Sequence, residues 1–440
     1  MQFLNALQNL SQFTEGQIPG APPGVTGIYG RVQTLEELTT ALLEDIRVVR
    51  ITQDTLDKLA LCYKLEQQQR NAIGPGMSPK ETIAEYNRRL TQPASVASGG
   101  AAVRMPGLTF GPPPRGGWDI VRPALQLSIR SAIMNGCLYS LDLAPGKDEA
   151  EFRRAVELIE EARRTWRHVD GSIRGRTLEE TFLRGVKALL ADSILRSYPI
   201  NQPSQNNAES ISKRRKLDEV RSIGEWLTHS FTTSPKPPDT DKPTRRPRRD
   251  DADPWWNIYY AHYVSPFARG TAYIAFSHTQ LALDFLSGPA RTASLIAGAK
   301  EYATAAAWMS PDDPERINRA LNAVFALTSS QAPFYKSDVA AVFAMAEKAK
   351  EWYKPYFTQT AHLDSHVGWA AGLEATARDD RRPPAGAADT LALTAVMRQA
   401  WMARIANGET EEAVGGKRIW DSLGQEVVEA LEKDGLGWSP

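Results

Sequence analysis

Residues 152–169 read FRRAVELIEEARRTWRHV. The apolar side chains of this stretch recur at intervals of three and four residues, which is the spacing of one face of an α-helix, and its charged side chains fall on the remaining surface. A stripe with the same period begins at Leu35. Both patterns predict long helices that bury one face. The two predicted faces consist of Phe152, Ala155, Val156, Ile159, Ala162, Trp166 and Val169, and of Leu35, Leu38, Leu42, Ile46 and Val49.

Signals for helix starts recur along the chain, whereas signals for strands are rare. Serine or threonine followed three residues later by glutamate is a capping box, in which both side chains satisfy backbone N–H groups of the first turn. Alternating β-branched runs bounded by tight Asn-Gly or Asp-Gly turns do not occur in the sequence. We therefore predict an all-α fold of helical hairpins, in a bundle or a repeat array, without a sheet of more than two strands. The predicted starts are the capping boxes Thr34–Glu37, Ser78–Glu81 and Thr177–Glu180, and the proline-led starts Asp253-Pro254 and Ser310-Pro311.

Stretches rich in proline, glycine or charge interrupt the helical pattern at three places. Residues 16–30 are rich in Gly and Pro, residues 92–117 include three consecutive prolines, and residues 232–253 have almost no apolar side chains. The last composition is typical of disorder. The predicted organisation is an N-terminal helical region (1–91), a Pro/Gly-rich linker (92–117), a central helical block (118–231), a disordered charged linker (232–253) and a C-terminal helical block (254–440).

The charge balance and the hydropathy pattern argue against two classes of partner. The 52 basic and 52 acidic side chains cancel, so no global field attracts nucleic acid or an anionic membrane. The apolar stretch from Ile258 to Leu286 contains Arg269 and Asp284 and is therefore too interrupted to span a membrane. Residues 1–7 have neither the basic nor the long apolar region of a secretory signal. We expect an intracellular protein, cytoplasmic or nuclear, that does not bind membranes.

Residues 299–313 and 320–323 combine small side chains with large aromatic ones. They read AKEYATAAAWMSPDD and ALNA. The small side chains let two helices approach closely, the aromatic ones fill the adjoining space, and Pro311 marks the turn between the helices. We place Lys300 and Arg316 on the outer face of this hairpin. The predicted inner residues are Ala305, Ala306, Ala320 and Ala323, with Tyr302 and Trp308 beside them.

Over roughly residues 295–357 the sequence resembles a group of tetratricopeptide-like proteins of mushroom-forming fungi. The resemblance lies in the progression Tyr302, Ala305-Ala306, Pro311-Asp312-Asp313 and Ala320-Leu-x-Ala323. It implies a tetratricopeptide-like array of helices and no known chemistry. The interval from Ala305 to Pro311 is one residue off the usual pattern. An ordinary antiparallel helix pair within a bundle is the alternative.

Side chains that could carry chemistry are few. His362 and His366 lie four residues apart, so on a helix both could reach one Zn²⁺, with Asp364 as a further ligand. The glutamate of a His-Glu-x-x-His metalloprotease motif is absent, however, because Leu363 occupies its position. We read the histidines as surface or partly packed groups and expect no metal and no cofactor. The Gly415-Gly416-Lys417 sequence lacks the glycine spacing of a phosphate-binding loop.

The two cysteines, Cys62 and Cys137, are too few for a cysteine-based zinc cluster. Neither has a neighbouring histidine in the sequence that would activate it as a nucleophile. We expect both to be buried, reduced thiols.

Two basic runs and one aromatic run remain. Lys213–Lys216 and Arg245–Arg249 are typical of nuclear import or phosphate contact, or else of a solvated helix start and a flexible charged linker. The aromatic run from Trp255 to Tyr263 could line a ligand groove or stack on bases. Because Trp256, Tyr260 and Tyr263 share one helical stripe, we expect it to be the buried start of a core helix.

These observations favour a non-enzymatic helical scaffold or protein-binding module that holds a protein partner in a groove between helix pairs. Nucleic acid is not expected as the partner. Two alternatives stay open. One is an all-helical enzyme whose site is assembled from distant residues, conceivably around His362 and His366. The other is a structural or coat protein, since long helical chains with Pro-rich arms also suit assemblies.

Overall fold

The computed structural model describes residues 2–17, 22, 26–31, 33–44, 53–91, 117–141, 146–200, 206–233, 259–309 and 313–329. Of these residues 83% are helical, so the all-α prediction is confirmed. The described strands form one two-stranded antiparallel sheet, in which Thr14 pairs with Tyr29 and Gln17 with Thr26. The elements are α1 Gln2–Ser11, β1 Thr14–Gln17, β2 Thr26–Tyr29, α2 Thr34–Glu44, α3 Gln53–Arg70, α4 Pro79–Thr91, α5 Trp118–Leu141, α6 Lys147–Thr165, α7 Gly171–Arg174, a 3₁₀-helix Arg176–Leu178, α8 Glu180–Arg196, α9 Asn207–Thr233, a π-helix Tyr260–Val264, α10 Ser265–Phe285, α11 Gly288–Trp308 and α12 Pro314–Ser329.

The described residues divide into two compact units. The first extends to Ser197 and also includes Tyr259–Tyr263, and the second includes α9 and the described residues from Val264 to Ser329. The division therefore falls at Ser197, inside the range 118–231 that the sequence analysis treats as one block. The predicted linkers 92–117 and 232–253 lie almost wholly outside the described residues, so those domain boundaries stay predictions.

Helix α5 is the centre of the first unit, because it packs against α2, α3, α4 and α6. Its contact with α6 depends on Gly136. A Cβ atom on this glycine would lie 2.7 Å from Cε1 of Phe152, so the phenylalanine ring fills the space that any larger residue would occupy. The rest of the predicted α6 face is also buried, except Val169, which is half-buried because the helix ends at Thr165. The buried members are Phe152, Ala155, Val156, Ile159, Ala162 and Trp166.

The capping box predicted at Thr34 and Glu37 does not form. Instead, Glu66 of α3 accepts hydrogen bonds from the backbone N–H groups of Gln33 and Leu35, both at 3.1 Å. A carboxylate from another helix thus satisfies the free donors at the start of α2 and lies at the positive end of its dipole. The periodicity prediction is confirmed for this helix, since Leu35, Leu38 and Leu42 are buried. Ile46 and Val49 lie outside the described residues.

The other predicted helix starts have mixed outcomes. The capping box at Ser78 is confirmed, because its N–H donates to Glu81 Oε2 at 2.9 Å and its Oγ accepts from the Glu81 N–H at 3.3 Å. The one at Thr177 is wrong, since the 3₁₀-helix takes up this threonine and α8 begins at Glu180 without a side-chain cap. Helix α12 begins at Pro314, and Asp313 accepts from the Glu315 N–H at 3.0 Å. Asp253-Pro254 and Ser310-Pro311 lie outside the described residues.

In the second unit, two successive helix pairs, α9 with α10 and α10 with α11, meet where a glycine lacks a side chain. A Cβ atom on Gly224 of α9 would lie 2.6 Å from the carbonyl oxygen of Gly270 in α10. A Cβ atom on Gly298 of α11 would lie 2.5 Å from Oγ1 of Thr279 and 3.0 Å from the carbonyl oxygen of Ala275. Backbones in direct contact leave no room for a substituent. Helices α9, α10, α11 and α12 therefore pack in sequence, each against the next.

The small residues of the predicted C-terminal hairpin are buried, as expected from their spacing. Tyr302 and Ala305 of α11 and Ala323 of α12 form one apolar cluster with Ala272 and Ala275 of α10. Ala306 and Ala320 are buried as well. Trp308 packs against Phe231 and Phe267, with ring centroids 5.5 and 4.7 Å away.

The predicted position of Arg316 on the outer face is wrong, because this residue is only 5% exposed. Arg316 precedes Ala320 by four residues, so the two share one face of α12. The long apolar stem of an arginine can follow such a face. Lys300, also placed outside, is exposed as expected.

Exchanging alanine for leucine on α11 tests whether the buried small residues are a packing contact. Ala305→Leu should lower the free energy of unfolding by roughly 1–3 kcal/mol, because Ala305 is fully buried against α10 and α12. Ala303→Leu on the exposed face of the same helix should change it by under about 0.5 kcal/mol. Urea unfolding curves of both variants measure the difference. Equal effects would show that the helices do not depend on this contact.

Candidate functional site

Several residues that the sequence singled out lie outside the described residues. They are His362, Asp364, His366, Gly415, Gly416, Lys417, Arg245–Arg249, Trp255 and Trp256. Among the described residues, no group of three or more His, Cys, Asp or Glu side chains is placed to hold a metal ion. The features of this part of the chain that could carry a function are its thiols, its buried charged side chains and its exposed helix faces.

Both cysteines are buried and unpaired, as the sequence predicts. Burial raises the pKa of the Cys137 thiol to about 12, and burial next to the Glu66 carboxylate raises the pKa of Cys62 well above its ordinary value. The Cys62 Sγ donates to Glu66 Oε1 at 3.7 Å. A nucleophilic cysteine needs the thiolate form. Neither thiol is therefore suited to covalent catalysis at neutral pH.

The basic run Lys213–Lys216 is not a continuous exposed signal. Lys213 is only 5% exposed, whereas Arg214 and Arg215 are exposed and Lys216 is half-buried. The Lys213 ammonium group points instead at Asp284 near the end of α10, with Nζ 3.8 Å from Oδ2. The sequence reading missed this role because Asp284 is far away in the chain.

Asp284 is the centre of a polar cluster in the second unit. Its Oδ2 also accepts a hydrogen bond from the hydroxyl of Tyr198, whose ring lies 5.8 Å from Lys213 Nζ. Burial and the neighbouring carboxylate raise the pKa of Tyr198 well above its ordinary value. The tyrosine thus stays protonated and donates a hydrogen bond to Asp284. The ion pair also offsets the unfavourable position of a carboxylate at a helix C-terminus.

Two buried arginines of the first unit are held in the same way as Lys213. Arg130 lies 3.4 Å from Glu36 Oε1 and 5.1 Å from the ring centre of Phe182. Its Nη1 also donates to the carbonyl oxygen of Glu36 at 2.9 Å. Burial lowers the pKa of Arg130 to about 10, which still leaves it charged at neutral pH.

Arg184 is the third cation of this kind. It is 1% exposed, lies 3.0 Å from Glu180 Oε1, and its guanidinium group is 5.0 Å from the ring centre of Tyr263. Each of the three cations thus has a carboxylate and an aromatic ring of the protein itself as partners. A buried charge paired in this way is stabilised by its surroundings and is not presented to a ligand.

The aromatic run before α10 is only partly as predicted. Tyr259 is buried, whereas Tyr260 and Tyr263 are half-buried. The reason is the π-helix, whose wider turn changes which residues share a face. Tyr259 and Tyr263 stack, with ring centroids 5.3 Å apart and planes at 20°. Between them in the sequence, His262 has its pKa lowered by burial and by the charge of Arg184.

In the second unit, exposed side chains lie on the outer faces of α9 and α11. The outer face of α11 is made of small side chains, because Ala293, Ala303, Thr304 and Ala307 are exposed there with Lys300. The outer face of α9 is polar and carries the ion pairs Arg214–Asp218, at 3.3 Å, and Arg221–Glu225, at 2.8 Å. These two faces are exposed in the described part of the second unit.

Comparisons of the chain with family models, curated proteins and solved structures find no match. None of the described helices combines the length and the apolar character needed to cross a membrane.

Removing the charge of Lys213 tests the supporting role of the Asp284 cluster. Lys213→Met should lower the free energy of unfolding by about 1–3 kcal/mol, because the carboxylate of Asp284 loses its buried counter-charge. Arg215→Met, two residues further along α9 and exposed, should stay within about 0.5 kcal/mol of the wild type. Thermal and urea unfolding measure both. If the two variants were equally stable, Lys213 would have no structural role.

Proposed function

We propose that the chain is a non-catalytic protein-binding module whose second unit is a stack of helices. The observation that carries this proposal is the sequential packing of α9, α10, α11 and α12 through contacts between backbone and small side chains. Helices stacked in this way bury their inner faces on neighbours and leave the outer faces side by side, as in helical-repeat proteins. The tetratricopeptide-like relationship suggested by residues 295–357 is part of the same proposal.

The chemistry of the described residues supports binding over catalysis. An enzyme needs an activated nucleophile, an acid or a base within reach of a substrate. The Cys62 and Cys137 thiols are buried and held in the protonated form. The hydroxyl of Tyr198 is committed to Asp284.

The outer face of α11 is the part of the stack on which we expect the partner to lie. Its exposed alanines project little beyond the backbone, so a partner helix can come close and bury apolar surface on both sides. The ion pairs on α9 would lose hydration if a partner covered them. Ion pairs between exposed side chains contribute too little binding free energy to offset this loss. We therefore assign the partner as a protein that contributes an amphipathic helix.

Paired surface variants test the proposal. The full chain is used as bait in an extract of the cells that produce it, and the protein recovered is purified and titrated against the bait. The double variant Ala303→Glu/Ala307→Glu should weaken binding by roughly tenfold or more, because two carboxylates would be buried in the contact. Both positions are exposed, so the unfolding temperature should stay that of the wild type.

The matched control places the same charges on the other face, as Arg215→Glu/Ser222→Glu on the exposed side of α9. This variant should bind like the wild type. Loss of binding only in the α9 variant would move the interface to α9 and contradict the assignment to α11. A chain that binds no protein saturably, or a partner that ignores both faces, would contradict the proposed function of the stack.

A further inference from the structure

The backbone of Gly175 lies directly against two polar side chains of α5. A Cβ atom on this glycine would be 2.9 Å from Cδ of Arg122 and 3.1 Å from Nε2 of Gln126. Its φ angle of 88° is in the left-handed region, which favours a residue without a Cβ atom. Arg122 and Gln126 are one helical turn apart, so one face of α5 brings a guanidinium group and an amide group to the same glycine.

Two further arginines flank Gly175 in the chain. Arg174 is the last residue of α7, and Arg176 is the first residue of the 3₁₀-helix. Helix α7 packs on α5 and the 3₁₀-helix packs on α6, so this segment is held on the first unit from both sides. Arg122 and Arg174 are half-buried and Arg176 is exposed. Three guanidinium groups therefore belong to one small region around a single glycine.

These three arginines differ from the paired, buried cations described above. In the described part of the chain, none of the three forms an ion pair. Asp170, which precedes α7, instead accepts a hydrogen bond from the Ser172 N–H at 2.8 Å. Hydrogen bonds from Ser172, and the charge of Arg174, lower the pKa of Asp170. The carboxylates beside the arginines in the sequence, all of them exposed, are Asp119, Asp170 and Glu179.

Two hydrogen-bond donors of this segment are buried and unused. Nε of Arg174 and the hydroxyl of Thr177 have no hydrogen-bond partner in the described part of the chain, and Thr177 is only 1% exposed. Buried donors are nearly always bonded, so one without a partner in the protein calls for water or an ion. Both donors lie within two residues of Gly175. This region thus combines unpaired guanidinium groups with donors that lack an acceptor.

We propose that Arg122, Arg174 and Arg176 form a binding site for the phosphate group of a small phosphate monoester. A guanidinium group donates two parallel hydrogen bonds to phosphate oxygens, which are also more highly charged than those of a carboxylate. The three terminal oxygens of a monoester suit several arginines, and Gln126 adds an amide donor. The inference does not depend on the proposed function, because these residues all belong to the first unit.

Isothermal titration calorimetry of the full chain with inorganic phosphate and with phenyl phosphate tests the site. Sodium chloride keeps the ionic strength constant, because salt screens the attraction between exposed charges. Both probes should bind saturably with one phosphate group per chain, whereas acetate at the same concentrations should not. Arg122→Gln should weaken the binding of both probes by about tenfold or more, because it removes hydrogen bonds between charged groups.

Arg164→Gln is the matched control, because Arg164 of α6 is exposed and already paired with Glu161 at 2.6 Å. This variant should bind phosphate like the wild type. If Arg122→Gln does not fold, Arg176→Gln replaces it, since Arg176 is exposed, and the same weakening is expected. The proposal is overturned by the absence of saturable phosphate binding, by acetate binding as tightly, or by an equal loss in Arg164→Gln. Binding of inorganic phosphate without phenyl phosphate would overturn the assignment to a monoester.

Discussion

Direct backbone contact between helices is the constraint on which the second unit depends. Gly224 and Gly270 bring the C-terminal half of α9 and the N-terminal part of α10 together. Because the helices are antiparallel, this contact also aligns their ends. Lys213 near the start of α9 meets Asp284 near the end of α10, and Phe231 near the end of α9 meets Phe267 near the start of α10. A side chain at this contact would separate the helices, so the polar cluster at one end and the aromatic cluster at the other both depend on the absence of a side chain at the two glycines.

In the first unit, large side chains fill the space between helices. Phe152 fills the space left by Gly136 between α5 and α6, and the buried carboxylate of Glu66 holds the start of α2. Interlocking of this kind fixes one arrangement of helices. In the second unit, glycines instead allow two successive helix pairs, α9 with α10 and α10 with α11, to approach closely.

The sequence allowed the helices to be predicted but not the partners of the buried charges. Apolar periodicity is local, so the faces of α2 and α6 and the small residues Ala305 and Ala323 could be assigned from spacing alone. Lys213 looked like part of an exposed basic run because its partner Asp284 lies 71 positions later in the printed sequence (284 − 213). Glu66 was missed for the same reason. Tyr260 and Tyr263 were predicted to be buried but are half-buried, because a π-helix does not follow the period of 3.6 residues on which the predicted stripe was based.

The three buried cations have the same kind of surroundings. Arg130, Arg184 and Lys213 belong to different helices, yet each is paired with a carboxylate and lies over an aromatic ring. In an active site, a buried cation is of use only if part of its charge is available to a substrate or a transition state. In this protein the carboxylate is paired with the positive charge, and the aromatic ring covers one face of the cationic group. These contacts therefore hold neighbouring elements together.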